Sequence, residues 1–211
     1  MTLARAEHSL RRLQKALLNN RSVEYCHKLW SRVIRDRDDN CCVVCGSPGR
    51  VEAHHIVRKT FFPGLRFETG NGITLCADKC HRFVHRGFNG RPDMSLPMDA
   101  QGAERIELIT KLFGHVVLAE RRHQLVVDKY YNLSDRALSV FREFQSISTE
   151  LKIPGSRVEQ AWRIWSQTPR STLNALVQAN GFELPPDHLE SGPLAYESPD
   201  GGFLIFSFPT E

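Results

Sequence analysis

No stretch of the 211-residue sequence approaches the roughly 18 uninterrupted apolar residues of a membrane-spanning helix, so no membrane span is expected. The charged, amphipathic start MTLARAEHSLRRLQKAL lacks the apolar stretch of a secretory signal, and a cytoplasmic location is therefore expected. Internal repeats and low-complexity tracts are also missing, which argues against a solenoid and against a largely disordered chain. Hydrophobic residues make up 41% of the whole, enough at this length to bury a core in one or two domains.

Acidic residues are scarce toward the front. Residues 1–37 carry 9 Lys and Arg against 3 Asp and Glu, residues 38–91 carry 8 against 5, and residues 92–211 carry 11 against 16. The front is thus +9 and the back −5. Such asymmetry suits a polyanionic partner for the front, because each phosphate neutralised by Lys or Arg releases condensed counterions. Cysteine and histidine are as uneven. Five of six cysteines fall between Cys41 and Cys80, and four of nine histidines between His54 and His85. In a reducing cytosol, clustered cysteines bind metal or do chemistry more often than they form disulfides.

Leu10, Leu13 and Leu17, then Leu29, Val33 and Ile34, recur at helical intervals among Arg and Lys, and predict helix over residues 3–36 with a break near Asn19 and Asn20. After Asp38, Asp39 and Asn40 the texture changes to short apolar pairs, Cys and Gly, which predict small strands and metal knuckles. Helical patterning returns from Gln101. Residues 103–113 form one candidate, ended by Gly114, and residues 116–131 are ambiguous between helix and strand. Ser134 is an N-cap for a helix to about Leu151, stopped by Pro154 and Gly155, and residues 156–166 and 169–180 read as a helical pair. Trp162, Ile164 and Trp165 are expected in the core, and one strand is expected over residues 203–208. The fold class is α+β, with a small metal-bearing core at 38–91 between an N-terminal helical extension, 1–37, and a mostly helical C-terminal region, 92–211.

The chemistry sits in that core. Cys42 and Cys45, with two residues between, and Cys76 and Cys80, with three, are short-spaced pairs whose four thiolates can close a tetrahedral shell around structural zinc. Cys41 competes with Cys42 for the first place; the two-residue gap makes the tighter knuckle before Gly46 and favours Cys42. If Cys80 opens a helix, His81 and His85 stand at i and i+4 on one face and can share a divalent ion. His54 and His55 are neighbours on a strand and so point to opposite sides, one suited to ligation and the other to water or substrate. A neutral imidazole near its ordinary pKa is a base that works at cellular pH. Arg58, Lys59, Arg66, Arg82, Arg86 and Arg91 surround the motif and are expected to hold phosphates, which fixes position without reading sequence. Arg82, between two candidate ligands, is the strongest of them.

Cys42 and Cys45, the run Glu52-Ala53-His54-His55-Ile56, the run from Gly70 and Asn71 to Cys76, and Cys80-His81-Arg82-Phe83-Val84-His85 together resemble the HNH endonucleases of the ββα-metal fold. The resemblance covers about fifty residues, a quarter of the chain. It implies DNA cleavage (RNA not excluded) with His55 as general base. His54, His81 and His85 would be ligands of a catalytic Mg²⁺, Mn²⁺ or Ni²⁺, and Asn71 would pin the loop that orients the base. Many relatives carry Asp where His54 stands, and the third residue between Cys76 and Cys80 can shift His81 relative to the helix start. HNH units with helical extensions resemble effectors of restriction and anti-phage defence that act beside an ATPase or sensor protein. On that analogy the acidic region 100–211 docks a partner or restrains cleavage. A non-catalytic zinc module that binds nucleic acid or a partner is the competing expectation.

Overall fold

The computed structural model describes residues 2–59, 62–85, 106–123, 127–145, 147–166, 194–197 and 203–206. Helix α1 spans Thr2–Leu18 and buries Ala6, Leu10, Leu13 and Ala16, a stripe at helical spacing, while Arg5, Arg11, Arg12 and Lys15 face water. The chain reverses at Asn20, whose φ of +47° lies in the left-handed region that Asn tolerates. Ser22 then caps α2 (Val23–Arg37), its side chain accepting from the Tyr25 N–H at 3.3 Å. Cys26, Leu29, Trp30, Val33 and Ile34 form the buried face of α2.

Strands β1 (Val51–His55) and β2 (Gly72–Cys76) make an antiparallel hairpin, registered from Val51 opposite Cys76 to His55 opposite Gly72. A short helix, α3 (Cys80–Val84), follows. The long connection between the strands contains two 3-10 turns, Pro63–Leu65 and Thr69–Asn71. The C-terminal region supplies α4 (Ile106–His123), α5 (Val127–Tyr130), α6 (Asp135–Phe144) and α7 (Arg157–Ser166), with α7 packed on α4 and α6. Trp165 is buried against Phe141 and Phe144, and Trp162 is half-buried beside the same core. A separate hairpin pairs β3 (Leu194–Glu197) with β4 (Phe203–Phe206). The chain is therefore a mixed α and β protein with a small two-stranded sheet and a cysteine cluster. Among the described residues no helix is long and apolar enough to cross a membrane.

Two helix ends differ from the pattern reading. Gly114 does not end a helix, because α4 runs through it to His123. A glycine inside a helix costs about 1 kcal/mol, and the buried run of Leu112, Phe113, Val116 and Val117 around it outweighs that. Helix α6 stops at Phe144 rather than near Leu151. There Ser148 accepts from the Glu150 N–H through its side chain, a local turn that competes with helix, and Arg142 clamps the carbonyls of Ser148 and Leu151. The expected helix at 169–180 lies outside the described residues.

The pieces are joined by a buried ion pair. Arg37 and Asp38 have 0% and 2% exposure. The Arg37 guanidinium donates to both Asp38 oxygens (2.7 and 3.0 Å), to the carbonyls of Thr69 and Gly72 (2.8 Å each) and, at 3.5 Å, to that of Tyr130. It also lies 4.1 Å from the centre of the Tyr131 ring. Asp38 in turn accepts from the Thr74 N–H at 3.0 Å. One side chain thereby fixes the end of α2, the turn before β2 and the 130–131 segment. Removing one partner of a buried pair strands the other, so Arg37→Ala is expected to lower stability by about 3–5 kcal/mol, read as a shifted midpoint in urea unfolding.

Candidate functional site

The sulfurs of Cys42, Cys45, Cys76 and Cys80 lie within 4.8 Å of one another. Gly46, just after Cys45 and at a φ of +69°, donates its N–H to the Cys42 carbonyl at 2.8 Å and closes the turn that carries the first two. Cys76 ends β2, Cys80 opens α3, and the Cys80 N–H donates to Cys76 Sγ at 3.3 Å. Cys45 and Cys76 stand 3.8 Å apart, the edge of a tetrahedron whose centre binds sulfur at about 2.3 Å. Burial pushes the Cys76 thiol up, but hydrogen bonds from Cys80, Cys45 and Lys79 outweigh it and bring the thiol down to about 7. Burial and the surrounding thiols push Cys80 up. Four sulfurs this close cannot all ionise without a cation among them, so the set fits a metal ion. Cys41 is not in it; it is half-buried and bridges to Pro48.

A second cluster joins His54, His81 and His85, each offering a ring nitrogen within the same 4.8 Å limit. The rings meet edge to face, with centroids 4.6 to 5.3 Å apart, and the Nε2 atoms of His81 and His85 are separated by 3.1 Å. His81 and His85 converge because they are one helical turn apart on α3 and its C-cap. His54 reaches them from the end of β1. Its Nε2 is buried and has no hydrogen-bond partner among the described residues, the orphaned lone pair or N–H that a native core does not keep idle. Burial first, then the charges of His85, His81, His55 and Arg58, hold His54 well below its ordinary pKa, and burial, His81 and Arg58 lower that of His85. Neutral imidazoles are ligands, and the three fit one ion.

Glu52 completes this cluster, and sequence reasoning gave it no role. Its carboxylate Oε2 lies 2.9 Å from His81 Nδ1, an ion-pair contact. A carboxylate at that place favours the proton on Nδ1, and the His81 Nε2 is 3.1 Å from that of His85. The signal was present in the alternation of β1, because Glu52 and His54 are two residues apart and share a face.

His55 faces elsewhere. Its ring lies flat on Trp30, with centroids 3.8 Å apart and planes 7° from parallel, and His27 stacks nearby at 5.5 Å. Its Nε2 is 2.9 Å from the Arg66 carbonyl. A carbonyl only accepts, so Nε2 carries the proton and Nδ1 is left as the basic nitrogen. Burial lowers the His55 pKa, the Arg66 carbonyl opposes it, and the charges of Lys59, His27 and Arg66 bring it to about 4. Trp30 is held by its indole N–H donating to the Glu68 carbonyl at 3.1 Å. Gly72 leaves room for it: a Cβ there would lie 2.7 Å from the Trp30 ring and 2.6 Å from Ile34.

Asn71 has no exposed surface. Its Oδ1 accepts from the Val57 N–H at 2.8 Å and its Nδ2 donates to the Val57 carbonyl at 2.9 Å, so it ties down the chain just beyond His55. Among the cations, Arg58 acts on His54 and His85, while Lys59 and Arg66 act on His27 and His55. Arg82 is exposed on α3, and Arg86 and Arg91 lie outside the described residues. Trp30 and His27 also escaped the sequence reading, since nothing along the chain says that the i, i+3 pair on α2 lands against β1.

Protein-family models, curated proteins and solved structures return no match to the chain. The geometry makes two predictions about metal. Elemental analysis of the purified chain is expected to find two ions, with His54→Ala losing one and Cys45→Ser the other. Glu52→Ala is expected to weaken the histidine site by about 10–100-fold, the usual loss when a ligand's orienting carboxylate is removed, measured by competition with a chelating dye.

Proposed function

We propose that the chain is a metal-dependent endonuclease of the HNH type that hydrolyses phosphodiester bonds in DNA, with β1, β2 and α3 as a ββα-metal core. The observation that carries this reading is the division of labour in the His54–His55 dyad. His54 joins two histidines of α3 in a ligand cluster, and His55, one residue on, has its tautomer set by the Arg66 carbonyl so that Nδ1 is free to take a proton. Zinc is the ion that suits four thiolates, and Mg²⁺, Mn²⁺ or Ni²⁺ suit the catalytic position.

The side chains divide the work as follows. His54, His81 and His85 hold the divalent cation, with Glu52 orienting His81. When bound, that cation supplies positive charge to the phosphate oxygens and the departing oxygen. His55 Nδ1 removes a proton from a water molecule whose oxygen forms the new bond to phosphorus. The bond from phosphorus to the 3′ oxygen breaks, that oxygen takes a proton from solvent, and the products are a 5′ phosphate and a 3′ hydroxyl. Trp30 and the Arg66 carbonyl keep the imidazole from rotating, and Asn71 keeps Val57, and with it the loop, in place. Arg58, Lys59 and Arg82 are the cations that would meet the backbone of the substrate. One site cuts one strand per engagement. On the analogy with helically extended HNH effectors, the acidic C-terminal region would meet an ATPase or sensor partner in cytoplasmic anti-phage defence.

A non-catalytic metal-stabilised binding module is favoured by one observation, the 9% exposure of His55. Cleavage of supercoiled plasmid separates the two. With Mg²⁺, Mn²⁺ and Ni²⁺ tested in parallel, the wild type is expected to nick, and His55→Ala to lose about 10²–10⁴-fold of the rate while both ions and the fold are retained. Undiminished cutting by His55→Ala would reject the assignment of the base.

A further inference from the structure

Lys59 Nζ lies 3.0 Å from His27 Nε2. An ammonium has three donors and no acceptor, so the imidazole accepts on Nε2 and one of the three Lys59 protons is committed. Both side chains are half-buried, and the His27 ring is parallel to that of His55 within 11°. Arg66 adds a second positive charge acting on Lys59, His27 and His55 alike. Among the described residues no carboxylate comes within salt-bridge distance of Lys59 or Arg66. Two cations brought together in partial burial without a counter-charge are costly unless an anion visits them.

We propose that His27 is a positioning residue that holds the Lys59 ammonium beside His55 as a clamp for a phosphate of the bound nucleic-acid strand. The inference rests on the nuclease reading for the identity of the anion. A free lysine is a mobile point charge on a four-carbon stem. Accepting one of its protons restricts that stem and aims the other two. The same stack that keeps His55 from rotating, through Trp30 and His27, then fixes where the phosphate sits relative to the base. The clamp binds and orients; it takes no part in breaking the bond.

The test is a double-mutant cycle on DNA binding by the full chain in the His55→Ala background, followed by fluorescence anisotropy of a labelled duplex over a salt series. Lys59→Ala is expected to weaken binding about tenfold and to reduce the salt slope by about 1, the signature of one lost phosphate contact. His27→Ala is expected to weaken binding about threefold with Lys59 present and to change nothing further in Lys59→Ala, because coupled residues are not additive. His27→Gln, which keeps an acceptor at similar reach, is expected to restore binding. With His55 intact, Lys59→Ala and His27→Ala are expected to raise KM and also to lower kcat, because the clamp orients the phosphate on His55 as well as binding it. Metal content checks each variant, and Lys59→Gln and His27→Phe, which lacks an acceptor, replace any alanine variant that loses its ions. An unchanged salt slope in Lys59→Ala overturns the phosphate contact, and equal effects of His27→Ala with and without Lys59 overturn the positioning role. A wild type that binds with the expected slopes but cuts with none of the metals would reject the nuclease reading and leave the clamp standing; one that neither binds nor cuts would reject both.

Discussion

A guanidinium without exposed surface must find all its hydrogen bonds inside the protein, and Arg37 finds them at the places that set the site. Its five donors end on Asp38 and on the carbonyls of Thr69, Gly72 and Tyr130. Thr69 and Gly72 bracket Asn71, whose side chain secures Val57. Gly72 is the register partner of His55 and yields the space that Trp30 fills. One arginine at the end of α2 therefore fixes the backbone beside His55 through carbonyls rather than through flexible side chains. The C-terminal region shares in it, because Tyr131 covers the guanidinium face and Asn132 and Ser134 grip the Glu68 carboxylate next to the same turn.

Around that anchor the two histidines are separated by the pleat of β1. His54 turns with Glu52 toward α3, into a cluster where its buried Nε2 has no hydrogen-bond partner among the described residues. His55 turns toward α2, where an aromatic surface and a carbonyl leave it one orientation and one tautomer. Two imidazoles adjacent in the chain thus have opposite surroundings, one grouped with two other imidazoles and suited to a cation, the other held in one orientation with its pKa lowered to about 4. The cysteine cluster is a third element on the same hairpin. It joins the knuckle after α2 to the start of α3, so a metal there would also fix where His81 and His85 begin.

The ligand sets were legible in the chain because they obey short-range geometry. The two-residue gap from Cys42 to Cys45, the i, i+4 step from His81 to His85 and the alternation at His54 and His55 each follow from local backbone periods. The helical hairpin at the front was legible for the same reason, with its break at Asn19 and Asn20. Local reasoning failed where tertiary packing outweighed it. Gly114 was absorbed into α4 by the apolar residues on either side, and α6 gave way early to a serine turn. The pairing of β3 with β4 was half visible, since only the 203–208 segment carried a strand signal.

Residue identity and spacing by themselves determined which side chains can ligate, which face each occupies and where positive charge concentrates, because all of these depend on neighbours a few positions away. Only the tertiary structure decided that Trp30 would lie under His55, that the Arg66 carbonyl would choose its tautomer, that Glu52 would take His81, and that His27 would receive Lys59. These contacts bridge 11 to 32 positions. Such separations are closed by burial of a common core and by the Arg37 network, neither of which leaves a periodic trace in the chain.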